Sequence, residues 1–260
     1  FTDFGRLMWD DNGRLRKVGH HLEAFTLDAD GTAYLALNHK LGGLDEPVLF
    51  SVNLNNLVPG GTNIAAPLGR IGIHFDDSSD NITGLSFNPL TGDLYALFRD
   101  DNKCTADRLV VIDKADGSLV SDLGRITGLC NTVGDGEDLI FDPLGNLYVT
   151  DNRDDRLYQV DPVTAAIIAV IDGNEAGGLG HCSVKFEGLA WDPINDLLIG
   201  ADDNHELLAQ LTLQNGANIS YGSTGPIGLT DVEGMAFIPE PATIWLMALW
   251  GLAVLRRRRR

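Results

Sequence analysis

An all-β fold built from repeated four-stranded units, a β-propeller, is what three features of the sequence predict. The chain repeats itself at intervals of 46 to 60 residues, its apolar residues alternate with a period of two, and Asp-Pro, Asn-Pro and Gly-Asn pairs stop each apolar run. The clearest copy is Glu137-Asp138-Leu139-Ile140-Phe141-Asp142-Pro143, followed by Leu147-Tyr148-Val149-Thr150 and then Asp151-Asn152. Thr83 to Pro89, Leu94 to Leu97 and Asp101-Asn102 form a second copy; Glu187 to Pro193, Leu197 to Gly200 and Asp203-Asn204 form a third. A looser copy starts at Glu23, and a last one, Val232 to Phe237, stops after its first strand.

Each unit reads as strands in order. Leu139 and Phe141 mark a half-buried first strand, and the Asp-Pro turn leads to a second at Leu147. The Asp-Asn pair turns the chain into a third strand, Leu157 to Asp161, and a fourth follows at Ala166 to Val170. Four short strands per unit make a propeller blade, so about five to six four-stranded blades are expected over residues 1–238. The N-terminal Phe1 to Asn12 stretch aligns with Phe141 to Asn152. Either it supplies outer strands missing from the last unit, with Asn12-Gly13 as a hairpin turn, or the chain is cut inside an upstream blade.

Length and composition agree with one large β domain. The 260 residues are 44% apolar, enough for a real core. There are 37 acidic and 19 basic residues, and five of the basic ones are Arg256 to Arg260. Residues 1–255 therefore set 14 basic against 37 acidic residues, a charge of −23. A body this acidic repels phosphate backbones, which excludes nucleic acid as a partner and suits divalent cations. Phe1 stands where an initiator Met would, which fits a removed signal peptide or a fragment.

The blade motif resembles the superfamily that includes NHL repeats and the gluconolactonase (regucalcin-like) propellers. The resemblance covers most of residues 20–238 and spans enzymes and binding modules alike, so it implies the fold more than the activity.

After Phe237-Ile238 the composition changes. Pro239-Glu240-Pro241 precedes an uncharged run from Ala242 to Leu255, and Arg256, Arg257, Arg258, Arg259 and Arg260 close the chain. As a helix the run of 14 residues is roughly 21 Å long, short of a hydrocarbon core of about 30 Å. The arginines should hold their end on the cytoplasmic side. In order and spacing, residues 239–260 resemble the tripartite PEP-CTERM sorting signal. The resemblance implies export by a Gram-negative bacterium, often one making extracellular polysaccharide, and processing by an exosortase. The short C-terminal helix would hold the chain in the inner membrane until then.

No nucleophile elbow, P-loop, dinucleotide fingerprint or HExxH helix is present. The six histidines lack ligand spacing; His205, between Asn204 and Glu206, is a weak candidate. The Asp-Asn pairs and Asp28-Ala29-Asp30-Gly31 read as turns. Cys104 and Cys130 would staple adjacent units if oxidised, with Cys182 as a competitor for the bridge.

The stronger constellation is Glu23, Glu137, Glu187 and Glu233, all at one position of the repeat, with Thr83 there in the one remaining copy. In propellers this position opens the innermost strand at one mouth of the central channel. Converging carboxylates need a counter-charge, wide spacing or protonation, and a hard divalent cation such as Ca²⁺ is one answer. Regucalcin-like enzymes hold a divalent metal at related positions, but they mix Glu with Asn or Asp, and Thr83 departs from that pattern. The sequence therefore reads as an exported binding protein of the cell surface or extracellular matrix, with an unidentified ligand. A metal-dependent hydrolase, of lactonase or phosphodiesterase type, is the alternative.

Overall fold

In each repeat the second strand is apolar at consecutive positions, as in Leu94-Tyr95-Ala96-Leu97-Phe98, so both its faces need cover. A stack of sheets provides that cover. The computed structural model describes residues 6–11, 13–17, 22–37, 47–73, 81–100, 105–153, 156–171, 186–202, 207–214, 218–226 and 235.

The first two strands, β1 (Arg6–Asp11) and β2 (Arg14–Lys17), form a hairpin closed at the Asp11–Arg14 pair. Unit 1 follows as β3 (Leu22–Leu27), β4 (Thr32–Leu37), β5 (Val48–Asn53) and β6 (Thr62–Arg70). Unit 2 is β7 (Asn81–Phe87), β8 (Leu94–Arg99), β9 (Arg108–Ile112) and β10 (Leu119–Arg125). A small hairpin, β11 (Thr127–Gly128) and β12 (Asn131–Thr132), then leads to unit 3. Unit 3 is β13 (Gly136–Phe141), β14 (Leu147–Asp151), β15 (Arg156–Val160) and β16 (Ile167–Ile171). Unit 4 is β17 (Phe186–Asp192), β18 (Leu197–Asp202), β19 (Leu207–Gln214) and β20 (Asn218–Pro226).

Every unit is an antiparallel meander in sequence order, and among the described residues no ladder joins one unit to the next. The inner strands lie side by side in order, β3 against β7, β7 against β13, and β13 against β17. These are the blades of a propeller. Of the fifth repeat only Met235 is described, and the C-terminal apolar segment lies outside the described residues.

The N-terminal hairpin forms as the sequence suggests, but it extends unit 1. β1 pairs in parallel with the outer strand β6, from Arg6–Thr62 to Trp9–Ala65, giving a six-stranded sheet. Trp9 explains the choice. It is buried against Phe50 of unit 1, ring centroids 5.6 Å apart and edge to face.

Alternation on the second strands fills the spaces between units. On β8, Tyr95 and Leu97 pack toward unit 3 with Leu139, Phe141, Val149 and Tyr158, while Leu94, Ala96 and Phe98 pack toward unit 1 with Tyr34, Leu49 and Ile71. On unit 3, Tyr148 and Leu157 face Phe186, Leu189 and Leu198 of unit 4. The repeated Tyr has a definite partner. Tyr34 meets Phe87 at 5.3 Å and Tyr95 meets Phe141 at 4.9 Å, both edge to face across a unit boundary.

The inner strands approach closely where the repeat has a small residue. A Cβ added at Gly84 would stand 2.8 Å from the Leu139 amide nitrogen and 2.8 Å from Asp138 Oδ1 in the next unit. Gly84→Ala should therefore lower stability by about 1–3 kcal/mol through overpacking against backbone. A denaturant midpoint equal to that of the parent chain would show that units 2 and 3 are not in this contact.

Candidate functional site

The position singled out by the glutamates is a structural feature in every described unit. Each inner strand slips register there: between Leu22 and Ala24, Ile82 and Gly84, Gly136 and Leu139, and Phe186 and Gly188. Glu23, Thr83, Glu137 and Glu187 thus sit in bulges at the start of the inner strand. A bulge takes a residue out of the ladder and re-aims its side chain, and bulges collect near functional sites.

At unit 3 the carboxylate already has a cation. Arg99, at the end of β8, donates from Nη1 to Glu137 Oε1 at 2.9 Å and lies 3.6 Å from Asp135. Arg99 and Glu137 each expose 19% of the side chain, so the pair is shielded yet reachable from the mouth. Arg99 is thus a counter-charge of the kind that converging carboxylates demand, brought from the neighbouring unit. Glu187 is partly buried in the corresponding bulge of unit 4. The side chain of Glu23 and all of Glu233 lie outside the described residues. Among the described residues no three His, Cys, Asp or Glu side chains are placed to hold a metal ion.

Two further acids at this end are buried. Asp107, fully buried between β8 and β9, accepts the Gly136 amide at 2.7 Å and the Asp100 amide at 3.1 Å, tying unit 2 to the start of β13. Burial pushes its carboxyl up to about 7, with the Asp151 charge adding to the rise and the two amides and Arg99 opposing it. Asp138 is also buried. Its Oδ2 accepts the Leu189 amide of unit 4 at 2.6 Å, and burial holds its carboxyl well above the ordinary range. A signal for Asp138 does exist in the sequence: the repeat has Ala24, Gly84 and Gly188 at the same position, so an acid there is out of pattern. Asp107 has no such signal, because its loop does not repeat.

The Asp-Asn turn described in full supports the turn reading. Asp151 is buried and accepts the Gly134 amide at 3.0 Å and the Arg153 amide at 2.8 Å. Asp28 likewise caps its turn, accepting the Ala29 amide at 2.6 Å. Asn12, Asp101, Asn102, Asp203, Asn204 and all six histidines lie outside the described residues, as do Cys104 and Cys182; Cys130 is an exposed free thiol.

The opposite mouth is apolar. Apolar residues at the far ends of the four inner strands, Leu27, Phe87, Phe141 and Trp191, line a cavity of about 510 Å³ with Lys114 and the turn prolines. Lys114 reaches across from unit 2 to pair with Asp28 of unit 1 and lies 5.3 Å from the Phe87 ring centroid. Asp142 and Asn88 face this mouth but are engaged in their own turns, accepting the Leu144 amide at 2.9 Å and the Leu90 amide at 3.0 Å. The Trp191 indole N–H is buried without a hydrogen-bond partner among the described residues.

Asp107 sets a pH dependence of known sign. Its folded pKa, about 7, exceeds the ordinary aspartate value of 3.8, so the folded state holds the extra proton between these limits. Its contribution is complete below about pH 4 and is lost as pH rises through about 7, a loss of the order of 4 kcal/mol. Asp138 acts in the same direction. Unfolding free energies between pH 4.5 and 8 should fall with rising pH, and the slope should flatten in Asp107→Asn. An unchanged slope in that variant would assign the effect elsewhere.

A search of curated proteins by sequence finds no match. Among solved structures the chain is similar to one in the nidogen/laminin complex, at 16% identity and a TM-score of 0.47, over 81% of this chain and 73% of that one. It is also similar to a protein of unknown function from Bacteroides caccae, at 10% identity and a TM-score of 0.49, over 84% of this chain and 64% of that one. The PQQ-bound aldose sugar dehydrogenase from Streptomyces coelicolor is similar at 13% identity and a TM-score of 0.46, over 84% and 86%. Residues 237–260 match the PEP-CTERM protein-sorting motif, which marks the chain for export, sorting and processing by an exosortase.

Proposed function

We propose that this exported propeller is a cell-surface or matrix-associated binding protein that meets its ligand with the end where the inner strands start. The observation that carries the reading is the Arg99–Glu137–Asp135 cluster at that mouth, assembled from two units over bulged strands. Shielded ion pairs at a channel mouth offer both donors and acceptors to a polar ligand.

Retention on cells tests it. The exported protein is added back to washed producing cells that lack it, as the parent chain, as Arg99→Gln and as Asp196→Asn at the other end. Binding should fall at least about tenfold in Arg99→Gln alone, the loss of about 1.4 kcal/mol or more. Equal retention of Arg99→Gln, with its fold verified by circular dichroism, would move the binding face elsewhere.

The hydrolase alternative requires a divalent cation on Glu23, Glu137, Glu187 and Glu233. With Arg99 supplying charge to Glu137, the binding reading expects thermal midpoints in calcium and in chelator to coincide. A midpoint that rises with calcium, and does so less in Glu187→Gln, would favour the metal-dependent reading instead.

A further inference from the structure

The turns between first and second strands repeat a feature that turn chemistry does not require. Pro89-Leu90, Pro143-Leu144 and Pro193-Ile194 occupy the same place in units 2, 3 and 4, and Leu90, Leu144 and Ile194 are 68%, 78% and 52% exposed. Unit 1 makes its turn with Ala29-Asp30 instead, so an apolar tip is not needed to close it. The tips are neighbours. A Cβ on Gly145 would stand 2.6 Å from Leu90 Cδ1, which places the unit 2 tip against the unit 3 turn. Together they make an apolar rim around the mouth lined by Leu27, Phe87, Phe141 and Trp191.

The chain itself says what meets this rim. In the repeat, Phe237 aligns with Leu27, Phe87, Phe141 and Trp191, the apolar residues near the ends of the inner strands that line this mouth. Four residues, Ile238 to Pro241, then separate it from the uncharged run Ala242 to Leu255, a reach of about 18 Å at most over five peptide steps. That run is apolar on every side of a helix, so a one-sided groove on the propeller would leave most of it in water, whereas a bilayer surrounds it. A tether this short keeps the end it leaves from close to the membrane surface.

We propose that the turn end of the propeller seats on a lipid bilayer, with Leu90, Leu144 and Ile194 entering the interfacial region while the C-terminal segment is inserted. This goes beyond the binding reading, and it rests on residues 239–260 acting as the sorting segment. Asp30, Asp93, Asp113, Asp116 and Asp196 are exposed on the same end, so the contact is apolar and suits zwitterionic lipid rather than an anionic surface. The opposite end, with the Arg99 cluster, then points away from the membrane.

The test uses the full chain reconstituted into phosphatidylcholine vesicles, with Cys104, Cys130 and Cys182 replaced by Ser. An environment-sensitive fluorophore is placed at Leu144→Cys, Ile194→Cys or, at the opposite mouth, Asp135→Cys. A lipid-borne quencher should reduce emission about twofold or more at 144 and 194, and leave 135 unchanged. Equal quenching at both ends, or at neither, in a chain that floats with the vesicles would overturn the seat and leave tail insertion standing. Failure to float would overturn both. As a second measurement, Leu90→Asp, Leu144→Asp and Ile194→Asp are combined with a label at the exposed Val163. Quenching there should be lost while the chain still floats, and unchanged quenching would show that the rim does not make the contact.

Discussion

Among the described residues no backbone ladder joins one blade to the next, and the rest of the structure depends on what replaces it. Apolar faces do most of the joining: Tyr95, Leu97, Phe141 and Val149 between units 2 and 3, Tyr148, Leu157 and Leu198 between units 3 and 4. Burial has no direction, so it fixes neither the height of one blade against the next nor its rotation. Directional bonds do that at the inner strands. Thr83 donates to the Gly136 carbonyl at 2.8 Å, the Phe141 amide donates to Ser86 Oγ at 3.2 Å, and the Leu189 amide donates to Asp138 at 2.6 Å. Each crosses a unit boundary. The bulges at Thr83 and Gly136 supply the geometry of the first, because a slipped register frees main-chain groups for a neighbour.

This constraint connects fold and site. The bulged position that carries Glu23, Thr83, Glu137 and Glu187 is where successive blades are stitched, which explains why one repeat position holds both a mouth-facing carboxylate and a structural threonine. Asp138 shows the same economy from inside. In the other units a small residue lets the strands approach; in unit 3 an acid fills that space and reaches into unit 4. A buried carboxyl of this kind is tolerated because two amides bond to it, and leaving those amides unpartnered would cost more than a neutral hydrogen bond is worth.

The sequence made the blades legible because each is a local pattern. Strand order in unit 3, the Asp-Pro turns and the alternation on β8 all follow from residues within one repeat. Arg99 was not legible, since its partner Glu137 is 38 positions away and belongs to another unit. Asp107 was not legible either, for it lies in a connection that differs from unit to unit. The N-terminal hairpin shows the limit from the other side. Its strand pattern and turn were readable, but its docking on unit 1 rests on Trp9 meeting Phe50, a contact between distant positions. The two ends of the propeller follow the same division: charged and shielded where connections vary, apolar and repetitive where turns repeat.

Amide hydrogen exchange, followed residue by residue, tests the stitching most directly. If the inner-strand bonds hold the blades in place, the Phe141 and Leu189 amides should exchange only through global unfolding, as slowly as the most protected amides of β8 and β14. Exchange of these two amides at the rate of an open turn, with β8 and β14 still protected, would contradict the account and leave apolar contact alone to join the blades.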